Sequence, residues 1–202
     1  MNVQTLEDML RAPGVYIKGS RRSLLGLSVE ARGPGLVCEF GVGSARTLNL
    51  IAEQIAPEPV YGFDVFTGLP EDWREGFDQG MFAVNTSEID FADNTLIYSG
   101  LFKDTIPAFL HDTGTQPIGF LHVDCDLYSS TRTVLFELRK RLINGTVIQF
   151  DEFWKYPGYE EHEIKAFAEF LNETGMACDV LARTSGVAER EFDRQQAAFI
   201  LR

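Results

Sequence analysis

Apolar residues fall into seven short runs, at 36–40, 60–63, 95–98, 118–123, 146–150, 177–182 and 197–201. Runs this short, bounded by Gly, Pro and acidic residues, have the length of buried strands. Between them the apolar spacing changes to three and four. Val134, Leu135, Leu138 and Leu142 follow it and predict a helix over 131–142. Weaker patterns predict helices over 5–11 and 23–31, from the turn after Phe40 through Ile55, near 107–111 and over 161–173. Strands alternating with helices imply crossover connections, hence an α/β fold: a mostly parallel sheet with helices on both faces. A polar stretch without helical pattern, 183–196, joins the last two strands, so the final strand is expected to run antiparallel.

Composition narrows the class. A chain of 202 residues with 45% hydrophobic content suits one domain with a sizeable core. The net charge of -12 argues against nucleic acid and against an anionic membrane, since both need a basic face. Cys38, Cys125 and Cys178 fall within strand-like segments, odd in number and widely separated. That suggests reduced core thiols. With no signal-like or membrane-length apolar run, the expected location is cytoplasmic.

Candidate chemistry sits at the ends of the strand-like runs, which finish in Glu39 and Gly41, in Asp64, in Gly100, in Asp124 and Asp126, and in Asp151 and Glu152. One such acid is an ordinary cap or turn residue. Several at one rim point to a site, because open α/β sheets bind ligands beyond the carboxyl ends of their strands. Gly41 and Gly43 permit a tight strand-to-helix turn, but the Lys of a P-loop is missing. Arg46 stands where a dinucleotide fingerprint needs its third glycine. Glu39 would repel a pyrophosphate and suits a cationic ligand end. Asp64, after the next strand, suits the two hydroxyls of a ribose. A ligand with both features is S-adenosylmethionine.

On the stretches "CEFGVGSARTLNLIA", "VYGFDVFTGLPEDW", "SGLFKDTIPAFL", "FLHVDCDLYSSTRTVL" and "NGTVIQFDEF", the chain resembles the class I S-adenosylmethionine-dependent methyltransferases. It is most similar to the metal-dependent family typified by macrocin O-methyltransferase. The resemblance covers about residues 36 to 170. It implies a Rossmann-like seven-stranded sheet with an antiparallel last strand, residues 36–202 as the methyltransferase domain and 1–35 as an N-terminal helical cap segment.

The resemblance also implies roles. Glu39, Gly41, Gly43, Asp64 and Asp124 would contact the cofactor. Phe66, Gly68 and Leu69 would belong to the adenosine wall, with Ser99 and Gly100 near the adenine. Asp124, Asp151 and Glu152 would bind Mg²⁺, and Asp126 would be the general base. Ala45-Arg46 and Glu152 depart from the family pattern. The implied reaction is O-methylation of a hydroxylated small molecule, a sugar by family analogy. An NAD-dependent oxidoreductase and a catalytically inactive cofactor-binding scaffold are the alternatives. A homodimer through the N-terminal helix or the final hairpin edge is a further expectation.

Other features have plainer readings. His122 is expected to be a hydrogen-bonded core residue, and His111 and His162 to lie at the surface. Ser129–Thr131 reads as a helix cap, and the acidic run 159–163 as a solvated helix start. Residues 153–156 suit either the wall of an acceptor pocket or a packed loop.

Overall fold

The computed structural model describes residues 1–184 and 195–202, and of residues 17 and 18 the backbone. All seven expected strands are present: β2 (Leu36–Phe40), β3 (Val60–Asp64), β4 (Thr95–Ser99), β5 (Ile118–Val123), β6 (Leu142–Trp154), β7 (Cys178–Thr184) and β8 (Gln195–Leu201). A two-residue strand, β1 (Ile17–Lys18), adds an eighth at the edge, parallel to β7. The order is β1-β7-β8-β6-β5-β2-β3-β4. Every pairing is parallel except those of β8, which runs antiparallel to both β6 and β7. Most of the connection before β8, residues 185–194, lies outside the described residues.

Helices cover both faces because strand residues alternate and each face is apolar. On one face α1 (Val3–Arg11), α4 (Phe102–Asp112), α5 (Tyr128–Glu137) and α6 (Glu163–Thr174) pack on Cys38, Phe40, Phe63, Leu121 and Phe150. On the other, α2 (Arg21–Glu30) and α3 (Arg46–Ile55) pack on Val37, Val60, Phe120 and Val147. Leu6 and Leu10 of α1 are fully buried in the larger cluster, so the first residues share the core of the sheet. No helix among the described residues is long and apolar enough to cross a membrane.

Two expectations are corrected here. The helix expected over 131–142 spans Tyr128–Glu137 instead. Leu138 and Leu142 are buried as the spacing demanded, but from a turn and from the start of β6. Arg141 holds that turn by donating to the Gln116 and Leu110 carbonyls at 2.8 and 3.1 Å. Ser129–Thr131 accordingly lie inside the first turn of α5, whose N-cap Leu127 makes no side-chain cap.

Candidate active site

The chain leaves β2 for β3 and β4 on one side, then returns to β5 on the other. The sheet's switch point is therefore the gap between the carboxyl ends of β2 and β5. A cleft of about 600 Å³ opens there, a volume in the range of small-molecule and cofactor sites.

Its floor depends on one glycine. Gly41 has φ +95°, and a Cβ there would fall 1.7 Å from the Asp124 carbonyl oxygen. The tips of β2 and β5 approach this closely because Asp124 N–H donates to Phe40 O at 2.8 Å. Gly43 begins the opposite wall, and its N–H donates to Asp64 Oδ2 at 2.7 Å. Asp64 Oδ1 accepts from the Phe66 N–H at 2.6 Å. The Asp64 carboxylate is thus oriented through both oxygens at the end of β3. Each oxygen keeps a lone pair for a ligand hydroxyl.

Of the expected cofactor residues, Gly41, Gly43, Asp64, Gly68, Leu69, Gly100 and Asp124 line the cleft. Glu39, Phe66 and Ser99 do not. Phe66 packs into the core beneath α3 and edge-on to Phe91, and Ser99 is exposed. Glu39 is wholly buried behind the cleft, where His122 Nδ1 lies 2.9 Å from its Oε1. Strand register explains the pair: Glu39 stands opposite His122 in β2 and β5. Burial pushes the Glu39 carboxyl above its ordinary pKa, and the bond to His122 opposes the rise.

The acids of β5 and β6 meet at the far end. Asp124, Asp126 and Glu152 each offer an oxygen, all within 4.8 Å of one another, and Asp126 and Glu152 are buried. Asp126 adopts φ +60°, a left-handed conformation that Asp and Asn tolerate better than most residues. Burial, reinforced by Asp151 and Asp126, raises the Asp124 carboxyl well above the carboxylate range. Asp151 lies outside this trio. Its Oδ2 meets Arg21 Nη1 at 2.8 Å and its Oδ1 accepts from Gln196 Nε2. The donors that converge are all hard oxygens, the kind that suit Mg²⁺.

The family model described as "Methyltransferase domain" matches residues 38–153, more than half of the chain and both walls of this cleft. The chain belongs to that family. No curated protein matches it in sequence. Solved structures similar to this methyltransferase include CalS11, a calicheamicin methyltransferase: TM-score 0.64, 22% identity, over 98% of this chain and 79% of that one. The O-methyltransferase NovP gives TM-score 0.64 at 20% identity, over 89% and 78%. TomG from Streptomyces achromogenes, an O-methyltransferase solved with SAM, gives 0.59 at 15%, over 98% and 88%. At these identities the likeness is one of fold.

Several residues near the methyltransferase site had no sequence signal. Arg21, a cleft residue, comes from the first turn of α2, 130 positions before its partner Asp151. Gln196 comes from β8. Glu163 was expected to be solvated and is fully buried. His162 was expected at the surface and is half-buried beside Trp73 and Tyr156. His122 is the core residue expected, and its partner is Glu39, buried behind the cleft. Phe153, Trp154 and Tyr156 are buried and do not line the cleft, which answers the open choice in favour of packing.

Proposed function

We propose that the protein transfers a methyl group from S-adenosylmethionine to a hydroxyl of a small molecule, assisted by Mg²⁺. The observation that carries this reading is the trio of Asp124, Asp126 and Glu152, the last two buried, in the cleft that Gly41, Gly43 and Asp64 shape. The bare backbone at Gly43 admits a ligand closely, Gly41 lets the β5 tip close the floor, and Asp64 accepts the ligand's ribose hydroxyls. Glu39 acts from behind by holding His122. The fold shared with TomG, solved with SAM, supports the cofactor.

Asp124 and Glu152 are the donors we assign to the cation. When bound, it would supply stabilisation of an alkoxide and orientation of the acceptor oxygen. Asp126, which also lines the cleft, accepts the hydroxyl proton. Asp151 is engaged by Arg21 and Gln196 and supports the trio rather than completing it. Positioning the acceptor oxygen in line with the methyl group would supply much of the rate in such a transfer. For the acceptor we propose a sugar: CalS11, similar in fold, is described as a TDP-rhamnose 3'-O-methyltransferase. We place the enzyme in the cytoplasm, consistent with three buried free cysteines. Residues 1–35 would cap the site through Arg21.

The test is titration calorimetry with S-adenosylhomocysteine and Mg²⁺, followed by methyl transfer to nucleotide sugars and glycosides with and without a chelator. Binding of both ligands, and turnover that the chelator abolishes, is the expected result. Equal Mg²⁺ binding by the wild type and an Asp124→Ala/Glu152→Ala variant would sink the metal assignment. Turnover undiminished by chelator would sink metal assistance.

A further inference from the structure

The long connection between β3 and β4 holds an aromatic ring in an unfavourable place. Phe82 has φ +68° and is 48% exposed. A left-handed backbone suits Gly, Asn or Asp; for a bulky side chain it is an outlier that costs free energy. Leaving a phenyl ring half in water adds to that cost. Among the described residues its ring has one aromatic neighbour, Phe77, at 5.9 Å. Turn geometry and core packing therefore give no reason for Phe here, yet the residue lines the cleft. Strain of this kind, at the edge of a ligand cavity, points to a contact made when the ligand is bound.

The surrounding chain fixes where Phe82 stands. Leu69 N–H donates to Met81 O at 2.8 Å, Gly80 N–H to Leu69 O at 2.9 Å and Val84 N–H to Phe66 O at 3.0 Å. Residues 80–84 thus run back along 66–69. One end of this pair is anchored at the acid-bearing tips. There Leu69, Trp73 and Phe77 pack with Leu127 and Tyr156, which follow β5 and β6, and Ser129 Oγ donates to Glu71 Oε1. At the other end Val84 packs with the residues of α3. Phe82 lies between the two anchors, and its neighbour Phe77 belongs to the first.

We propose that Phe82 is a specificity-determining residue whose ring stacks on the C–H face of the acceptor sugar, an inference that rests on the proposed methyl transfer. Asp124, Asp126 and Glu152 offer oxygens, which suit a cation and hydroxyls. The flat face of a sugar ring needs an apolar partner from elsewhere in the cleft. The face of a phenyl ring is negative and attracts weakly positive C–H groups. Stacking would also take the Phe82 ring out of water.

The test compares wild type with Phe82→Gly and Phe82→Tyr. Glycine adopts φ +68° freely, so Phe82→Gly should melt close to wild type and separate the ring from the fold. Affinity for S-adenosylhomocysteine, read by calorimetry, should change by less than about threefold in both variants. The acceptor is TDP-rhamnose or, failing that, the nucleotide sugar or glycoside that wild type turns over best. Phe82→Gly should raise the acceptor KM by about tenfold or more with kcat within about threefold, and Phe82→Tyr should stay within about threefold of wild type in both. An unchanged acceptor KM in Phe82→Gly overturns the proposal. An equal loss of S-adenosylhomocysteine affinity also overturns it, because the ring would then cover the cofactor. Phe82→Trp gives a reading without turnover, since Trp73 and Trp154 are buried: its emission should change saturably as the same sugar is added to the S-adenosylhomocysteine complex. If wild type methylates none of these sugars, the proposed function fails. A saturable change in Phe82→Trp emission would then still support the contact, and flat titrations with all of them would overturn it.

Discussion

Arg21 Nη1 stands 2.8 Å from Asp151 Oδ2, joining the start of α2 to the tip of β6. The acid is buried, while the guanidinium side chain is 54% exposed. Asp151 lines the same cleft as the three clustered acids but has its two oxygens engaged by Arg21 and Gln196. Removing Arg21 leaves a buried acid with Gln196 alone. Because half of the pair is in water, we expect Arg21→Ala to cost about 1–2 kcal/mol, less than a fully buried pair. Asp151→Asn added to Arg21→Ala should recover most of that loss, since a neutral amide needs no cation. Urea denaturation of the two single variants and the double completes the cycle. Strict additivity would mean that the two side chains do not interact.

Gly41 and Gly43 predict different outcomes for the same change. A Cβ on Gly41 meets the Asp124 carbonyl oxygen at 1.7 Å, so Gly41→Ala must move a strand tip. We expect little folded protein, or a loss of more than about 3 kcal/mol. A Cβ on Gly43 meets nothing within 4 Å. Gly43→Ala should lose about 1–2 kcal/mol for its left-handed backbone. It should also weaken S-adenosylhomocysteine binding on the order of tenfold, because the methyl enters the cleft. Thermal melts and calorimetry on both variants distinguish backbone tolerance from ligand contact. Unimpaired ligand binding by Gly43→Ala would remove this loop from the cofactor site.

Buried acids should give the apo protein a falling stability as pH rises. Glu39 has a folded pKa above its ordinary 4.5 because of burial, opposed by His122 and assisted by Asp151 and Asp64. An acid raised in this way binds its proton more tightly when folded. Its contribution is full below about pH 4.5 and is lost as pH climbs through the folded value. Glu39→Gln cannot titrate, so its stability should fall less than that of wild type between pH 5 and pH 8. Denaturation midpoints at several pH values test this. Parallel curves would show that Glu39 keeps the same pKa folded and unfolded.

How far the sequence could be read depended on range. Strands β2 to β8 were legible because each is a short apolar run between glycines or acids, a purely local signal. Val134, Leu135, Leu138 and Leu142 misled about the end of α5 because spacing records burial, and a turn braced by Arg141 buries Leu138 and Leu142 as well. Strand β1 is two residues long and exists through pairing with β7, so no local pattern announces it. At the site, the acids at the strand ends were legible from position alone, and the cleft contains most of them. Their partners were not. Glu39 with His122, Asp151 with Arg21, and Glu152 with Glu163 pair residues 83, 130 and 11 positions apart. The acidic run 159–163 shows the limit most clearly: Glu160 and Glu161 are exposed as expected and Glu163 is not, and charge alone does not distinguish them.

The two acids that flank Cys125 should separate in function. Asp124 sits at the junction with Gly41, faces the cleft, and lies among Asp126, Asp151 and Glu39. Asp126 follows two residues later, buried and in a left-handed turn that Asn also tolerates. Asp126→Asn should therefore keep the backbone and keep an oxygen toward the trio, but lose the proton acceptor. We expect kcat to fall by roughly 10²–10⁴, with Mg²⁺ affinity weakened by less than about tenfold. Asp124→Asn should lower both, because it removes charge from a cation ligand. Single-turnover rates at saturating cofactor, paired with Mg²⁺ titrations on each variant, measure the two effects separately. The 4.8 Å clustering leaves a definite rival outcome: if Asp126 ligates the cation, both variants lose Mg²⁺ affinity equally, and the proton acceptor must be sought elsewhere in the cleft.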